Sequence, residues 1–181
     1  MRRIAGRRHD EAQMLIPLIQ VHMLSTFFHL PITELVSQLL LSLLLGALIG
    51  VERKLAHKTA GMRTFALVSL GSTIFSLISI HATQYVNAMG RIEFDPTRIA
   101  AQIVTGVGFI GAGIIFFDQS RVRGVTTAAG LWLASAIGMA VAFGFYMMAI
   151  IATLLTLFIF VIFYPLERRT IERLRILKNG K

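Results

Sequence analysis

The 43 residues from Gly124 to Leu166 carry no Asp, Glu, Lys or Arg. As one helix at 1.5 Å per residue they would run about 65 Å, roughly twice the thickness of bilayer hydrocarbon. The stretch must therefore turn back on itself. Gly144 divides it into GVTTAAGLWLASAIGMAVAF and FYMMAIIATLLTLFIFVIFY, and a tight connection between antiparallel helices favours a residue tolerant of positive φ.

Three further uncharged runs have the length of one crossing each: LVSQLLLSLLLGALIGV before Glu52, TFALVSLGSTIFSLISIHAT after Arg63, and IAAQIVTGVGFIGAGIIFF after Arg98. None shows the apolar/polar alternation of a membrane β-strand, so helices with internally satisfied backbones remain. The expected fold is an all-α polytopic transmembrane helical bundle of about five spans, near residues 33–51, 64–83, 98–117, 125–143 and 145–164, in one membrane domain covering 33–165. Composition agrees: 55% of residues are hydrophobic and 15% charged, and a mean hydropathy of +0.72 does not match the surface of a soluble domain.

The net charge of +9 first points to a polyanionic partner, but topology accounts for most of it. With five spans, Arg53, Lys54, Lys58, Arg63, Arg121, Arg123 and the six basic residues of the tail share one side. Near the membrane the other side has only Arg91 and Arg98. The positive-inside rule then places the C-terminus in the cytoplasm. Nucleic acid is not an expected partner, because no soluble basic surface interleaved with aromatics is present. No Cys is present, which excludes disulfides and thiolate chemistry.

Residues 1–32 fit this scheme least well. Four arginines precede an apolar stretch interrupted by Pro17, His22 and His29, without a small-residue cleavage site. An interfacial amphipathic segment, a sixth imperfect span, and an upstream extension with Met14 or Met23 as the true start all stay open, the first and last preferred. The basic tail 166–181 can place Leu166, Thr170, Leu174 and Leu177 on one helical stripe, suited to an anionic leaflet.

Within the third run, residues 106–111 match GxGxxG. A dinucleotide fingerprint needs a strand before the glycines, and here they sit inside an apolar helix. Gly106, Gly108, Gly111 and Gly113 are instead expected to serve close helix packing, as are Gly46 and Gly50 on the first span and Gly130 and Gly138 on the fourth. Asp95 and Pro96 have the pattern of a helix start. Gln102 shares a face with Arg98 one turn earlier, and an amide within a span either bonds another helix or lines a wet cavity. At the cytoplasmic ends Glu52, Arg53, Arg63 with Thr64, and Arg123 with Thr126 and Thr127 form a rim of charges and hydroxyls. Such groups snorkel as interfacial anchors or hold an anionic headgroup or phosphate.

Four ordered segments, GALIGVER, AGMRTFALVSLGS, DPTRIAAQIVTGVGFIGAGII and VRGVTTAAGLWLASAIG, resemble the MgtC/SapB family of bacterial inner-membrane proteins, in particular its short members without a C-terminal soluble domain. The resemblance covers residues 46–138 closely and extends loosely to about 165. It implies a role in adaptation to low magnesium and to stress, and in pathogens survival inside host cells, with regulation of other membrane proteins such as the proton-translocating ATP synthase. It draws attention to Glu52, Arg53, Gly61, Arg63, Thr64, Arg98, Gln102, Gly108, Gly111, Gly113, Gly124 and Thr127 without assigning them roles.

The leading expectation is a regulator that contacts a transporter or ATPase, with self-association into a homo-oligomer as another use of the same small-residue faces. The alternative is a direct carrier of an ion or small solute, traditionally Mg²⁺. Magnesium takes oxygen ligands and keeps several waters, whereas the spans hold no carboxylate between their ends. A third expectation is an anionic ligand or lipid held by the rim arginines. No enzyme, cofactor or metal site is expected, since His9, His22, His29, His57 and His81 lack ligand spacing and no catalytic triad order appears.

Overall fold

The computed structural model describes the backbone of residues 32–88, 95, 97–118 and 121–163, and all of their side chains except 85–88. The N-terminal extension, Pro96 and the basic tail lie outside the described residues. Five helices are present among the described residues: α1 (Ile32–Leu55), α2 (Met62–Ala88), α3 (Thr97–Gly113), α4 (Val125–Ala142) and α5 (Tyr146–Phe158), the last continuing as a π-helical turn over Ile159–Phe163. Two short strands, β1 (Phe116–Asp118) and β2 (Arg121–Arg123), form an antiparallel pair between α3 and α4.

Two compact units divide the chain between Ser37 and Gln38. Of residues 1–37 the described part is the opening of α1, where Ser37 Oγ donates to the Glu34 carbonyl at 2.8 Å. Residues 38–181 hold every other element.

Among the described residues, four helices have the length and apolarity to cross a membrane: α1, the Met62–Gln84 part of α2, α4, and α5 with its π turn. The 17-residue α3 is about 25 Å long. The expected third span, 98–117, is corrected at its end: the helix stops at Gly113, and Phe116 and Phe117 pair across the hairpin with Arg123 and Val122. Two glycines within three residues weaken the last turn of α3, and the β-branched and aromatic run Ile114 to Phe117 suits extended backbone. The uncharged stretch reverses at Gly144, whose φ is 78°. There Phe145 N–H donates to Ala140 O at 2.8 Å and Gly144 N–H to Val141 O at 3.1 Å, the bond pair of a Schellman C-cap.

Helix α4 is the most enclosed span, packing on α2, α3 and α5. Its Leu131, Ala134, Ile137 and Val141 are fully buried with Phe65, Ile49 and Ala149. The seam between α2 and α4 is made by absence of side chain: a Cβ on Gly138 would lie 2.1 Å from the Ser69 carbonyl oxygen. On the other side of α2, Gly46 meets the Phe65 carbonyl and Ser69 Cβ, while Gly50 meets the Met62 backbone. Close approach brings polar groups into reach. Thr73 Oγ1 donates to Gly138 O at 2.9 Å and to Ser69 O at 3.0 Å.

The distribution of polarity is that of a membrane protein. Ser42, Ser69, Ser72, Thr73, Ser76 and Ser79 are buried, whereas Leu40, Leu44, Leu48, Leu67, Phe75, Leu154 and Phe158 are exposed. In water this would leave an apolar surface far beyond that of soluble monomers. In lipid the acyl chains cover it, and association rests on packing and interhelical hydrogen bonds.

Candidate functional site

The end of the bundle formed by the α1–α2 turn, the hairpin, the start of α4 and the π turn holds a cavity of about 730 Å³. It is lined by Arg53, His57, Lys58, Arg121 and Arg123, by the hydroxyl residues Thr59, Thr126 and Thr127, and by apolar groups including Phe116 and Phe160.

Arg53 is placed by the last turn of α1. It is 3% exposed and its guanidinium lies 3.6 Å above the Phe160 ring centroid, a cation–π stack strengthened by exclusion of water. Its Nε donates to a Glu52 carboxylate oxygen, so the buried charge has an ion partner, without which it would be strongly destabilising. The π turn widens the end of α5, carrying Ile159, Phe160 and Phe163 to the cavity wall.

After α1 the backbone closes in another Schellman pair, Lys58 N–H to Arg53 O at 2.9 Å and His57 N–H to Lys54 O at 3.1 Å. His57 takes the left-handed position with φ 54°, where glycine is favoured. Side chains alternate along a strand, which puts Arg121 and Arg123 on one face of β2. Arg123 Nε lies 2.8 Å from Asp118 Oδ2 across the hairpin. Gly124 (φ 91°) then turns the chain into α4, where a Cβ would lie 2.1 Å from the Ile114 carbonyl oxygen. No side chain caps this helix start, and Thr127, 3% exposed, makes no hydrogen bond to the described residues.

Of the residues singled out in the sequence, Arg53, Arg123, Thr126 and Thr127 meet at this cavity, with Glu52 behind Arg53. Arg63 and Thr64 line a neighbouring cavity of about 540 Å³ with Lys54, Lys58, Thr59 and Gly61. Arg98 and Gln102 lie elsewhere. Arg98 is one residue into α3, about 22 Å along that helix from Gly113, and both side chains are exposed. Asp95 accepts from Thr97 N–H at 2.8 Å and Thr97 Oγ1 at 2.7 Å. Those two bonds, aided by the Arg98 charge, hold its carboxyl below the usual carboxylate range.

The glycines divide. Gly46, Gly50, Gly130 and Gly138 face close neighbours, and Gly111 faces Ala128. At Gly106, Gly108 and Gly113 a Cβ would meet nothing within 4 Å among the described residues, so these three glycines do not serve packing between the described helices. Helix α3 buries one stripe, Ile103, Val107 and Gly111. Its other side is exposed, including Gln102, Thr105 and Phe109.

Sequence reasoning did not single out His57, Lys58, Arg121 or Phe160 as site residues. The alternation Arg121-Val122-Arg123 was the available signal for the second arginine. For Phe160, within a uniformly apolar run, there was none.

The fold and the polarity distribution define a multi-pass helical membrane protein. Residues 39–169 match the model of the MgtC family, and the chain belongs to that family. It is 39% identical over 140 residues to the Escherichia coli K12 protein named "Putative magnesium transporter YhiD", covering 77% of this chain and 65% of that one. It is 42% identical over 123 residues to protein MgtC of Brucella abortus, 68% of this chain and 48% of that one. With protein SapB of Bacillus subtilis the identity is 39% over 133 residues, 73% and 57% of the two chains. The matched region thus spans about half to two thirds of these relatives. No solved structure matches the chain.

Proposed function

We propose that this protein regulates another membrane protein, a transporter or ATPase of the bacterial inner membrane, by direct helix contact during adaptation to low magnesium and stress. The observation that carries this reading is the open side of α3. Among the described residues, Gly106 and Gly108 have no neighbour at the Cβ position, and the exposed Gln102 amide makes no hydrogen bond. An amide left in hydrocarbon costs roughly 4–8 kcal/mol, whereas small residues beside it let a second helix approach and supply a partner. The excess of basic residues at the cavity end supports a cytoplasmic location for that end and for the C-terminus.

In cells grown at low magnesium, the full chain should co-purify with a transporter or ATPase, and Gln102→Leu or Gly108→Leu should abolish recovery while leaving the protein in the membrane. Deletion should change the activity of that partner. Recovery of no membrane partner, together with unchanged proton-pumping ATPase activity on deletion, would count against the proposal. Recovery of only a second copy of this chain would replace it with self-association.

Direct transport is the second reading, favoured by the buried hydroxyls of α2, of which Ser69 Oγ and Ser76 Oγ have no hydrogen-bond partner. Against a magnesium path stand the spans without carboxylates and the close seam at Ser69, where Gly46 and Gly138 leave room for nothing more. Mg²⁺ flux by the purified protein in liposomes, lost on Ser76→Val, would establish transport.

A further inference from the structure

We propose that the 730 Å³ cavity is a binding site for a phosphate group carried on an organic molecule. This inference concerns the opposite end of α3 from Arg98 and is independent of how that helix's open side is used.

Among the described residues, Arg53, Lys58, Arg121 and Arg123 line the cavity and no Asp or Glu does. Of the described carboxylates, Glu52 is engaged with Arg53 Nε and Asp118 with Arg123 Nε. Each guanidinium carries further N–H donors in a planar fork, and the Nη groups of Arg53 and Arg123 have no acceptor among the described residues. The geometry therefore holds both arginines in place through Nε and leaves the forked edges for an anion, the arrangement that recognises phosphate oxygens bidentately.

The start of α4 adds hydrogen-bond donors to these charges. Thr127 is buried to 3% exposure, lines the cavity and makes no hydrogen bond to the described residues. Among the described residues, the hydroxyl oxygens sealed off without a partner are those of Ser69 and Ser76, so Thr127 Oγ1 opens onto the cavity, where a ligand oxygen can accept from it. It sits in the first turn of α4, where the N–H groups of Val125, Thr126 and Thr127 precede the first i to i−4 bond, Ala128 N–H to Gly124 O at 2.8 Å. Gly124 in its left-handed conformation supplies no side-chain cap. Hydroxyl, free N–H groups and the positive end of the helix dipole thus converge where an oxyanion would complete them.

The remaining walls define what else the ligand carries. Phe116, Val122, Ile159 and Phe163 line the cavity and are partly exposed on its apolar side. The volume lies within the range of small-molecule sites and exceeds what inorganic phosphate needs. A phosphate joined to an organic body fits both halves, either as an anionic lipid headgroup or as a soluble phosphomonoester.

The test uses the full-length protein with two probes. One arm measures retention of phosphatidylglycerol by native mass spectrometry from nanodiscs of phosphatidylcholine containing it. The other titrates AMP and inorganic phosphate in neutral detergent and reads binding calorimetrically. Arg121→Gln with Arg123→Gln should weaken the productive arm at least tenfold, and the near-isosteric Thr127→Val about three- to fivefold, while Arg98→Gln should leave it unchanged. Binding in the lipid arm alone identifies a headgroup as the source, and binding of AMP alone a soluble phosphate. The proposal is overturned if neither probe binds the native protein, or if the near-isosteric Thr127→Val and the double arginine variant bind as tightly as Arg98→Gln.

Discussion

The seam of α2 against α1 and α4, and the outer side of α3, are both rich in small residues, yet the structure uses them in opposite ways. At Gly138 there is no room for one more carbon, with the Ser69 carbonyl oxygen 2.1 Å from where a Cβ would stand. At Gly106 and Gly108 the same carbon would meet nothing. Small-residue spacing therefore reports that a helix can be approached closely, without saying by what. In the seam the approach is made within the chain and is fixed by the buried Thr73 bond to Gly138 O. On α3 the corresponding hydroxyl, Thr105 Oγ1, turns back to its own helix and donates to Ala101 O at 3.3 Å.

The same substitution in the two regions gives the largest expected contrast. Gly138→Ala forces the α2 and α4 backbones apart and should cost about 3 kcal/mol or more, whereas Gly106→Ala in open space should stabilise the isolated protein by roughly 0.5–1 kcal/mol through helix propensity. SDS-titration unfolding of the two variants in one detergent measures both. Equal destabilisation would erase the distinction between seam and open face.

A smaller contrast separates the hydroxyls. Thr73→Val removes a buried interhelical bond and should lose about 1 kcal/mol, within the range of such bonds in membranes. Thr105→Val removes only a bond within its own exposed helix turn and should fall within about 0.5 kcal/mol of the native protein. The same unfolding assay decides, and a larger loss at Thr105 would show that its side of α3 is supported within the chain.

The smallest effect concerns how α3 begins. The Asp95 carboxyl is held below its usual range chiefly by the Thr97 N–H bond, then by the Thr97 hydroxyl. Because the folded value is the lower one, this stabilisation is fully present above the unfolded carboxylate pKa of about 3.9. It is lost as pH falls through the folded value. Amide exchange at Thr97 should therefore be slow and pH-independent, after correction for intrinsic exchange, above about pH 5 and accelerate below. Asp95→Asn should remove that acceleration, and an unchanged profile in the variant would exclude Asp95 as its source.

Much of the fold is legible because it follows from polarity and length alone. An uncharged stretch too long for one crossing has to reverse, and Gly144 is where a left-handed residue is available. The end of α3 was not legible in this way. Ile114 to Phe117 is as apolar as the helix before it, and a hydropathy reading has no means of telling that the chain leaves the helix there to form a hairpin. The site was partly legible for the same reason. Arg53, Arg123, Thr126 and Thr127 belong to span ends and stand out as polar groups beside apolar runs. His57, Arg121 and Phe160 enter only through a Schellman turn, a strand alternation and a π turn, features of backbone geometry rather than composition. Arg98, which the distribution of basic residues already assigns to the other side of the membrane, lies with Gln102 on α3 away from the cavity.

The reading of this protein as a regulator rests on what covers the outer side of α3. A photo-crosslinking amino acid placed at Gly108, and separately at the lipid-facing Leu44 of α1, would test it in native membranes at low magnesium. Gly108 should give a discrete adduct with a transporter or ATPase, lost when Gln102→Leu is added, and Leu44 should give lipid adducts alone. Lipid adducts alone at both positions, or the same protein adducts at both, would contradict it.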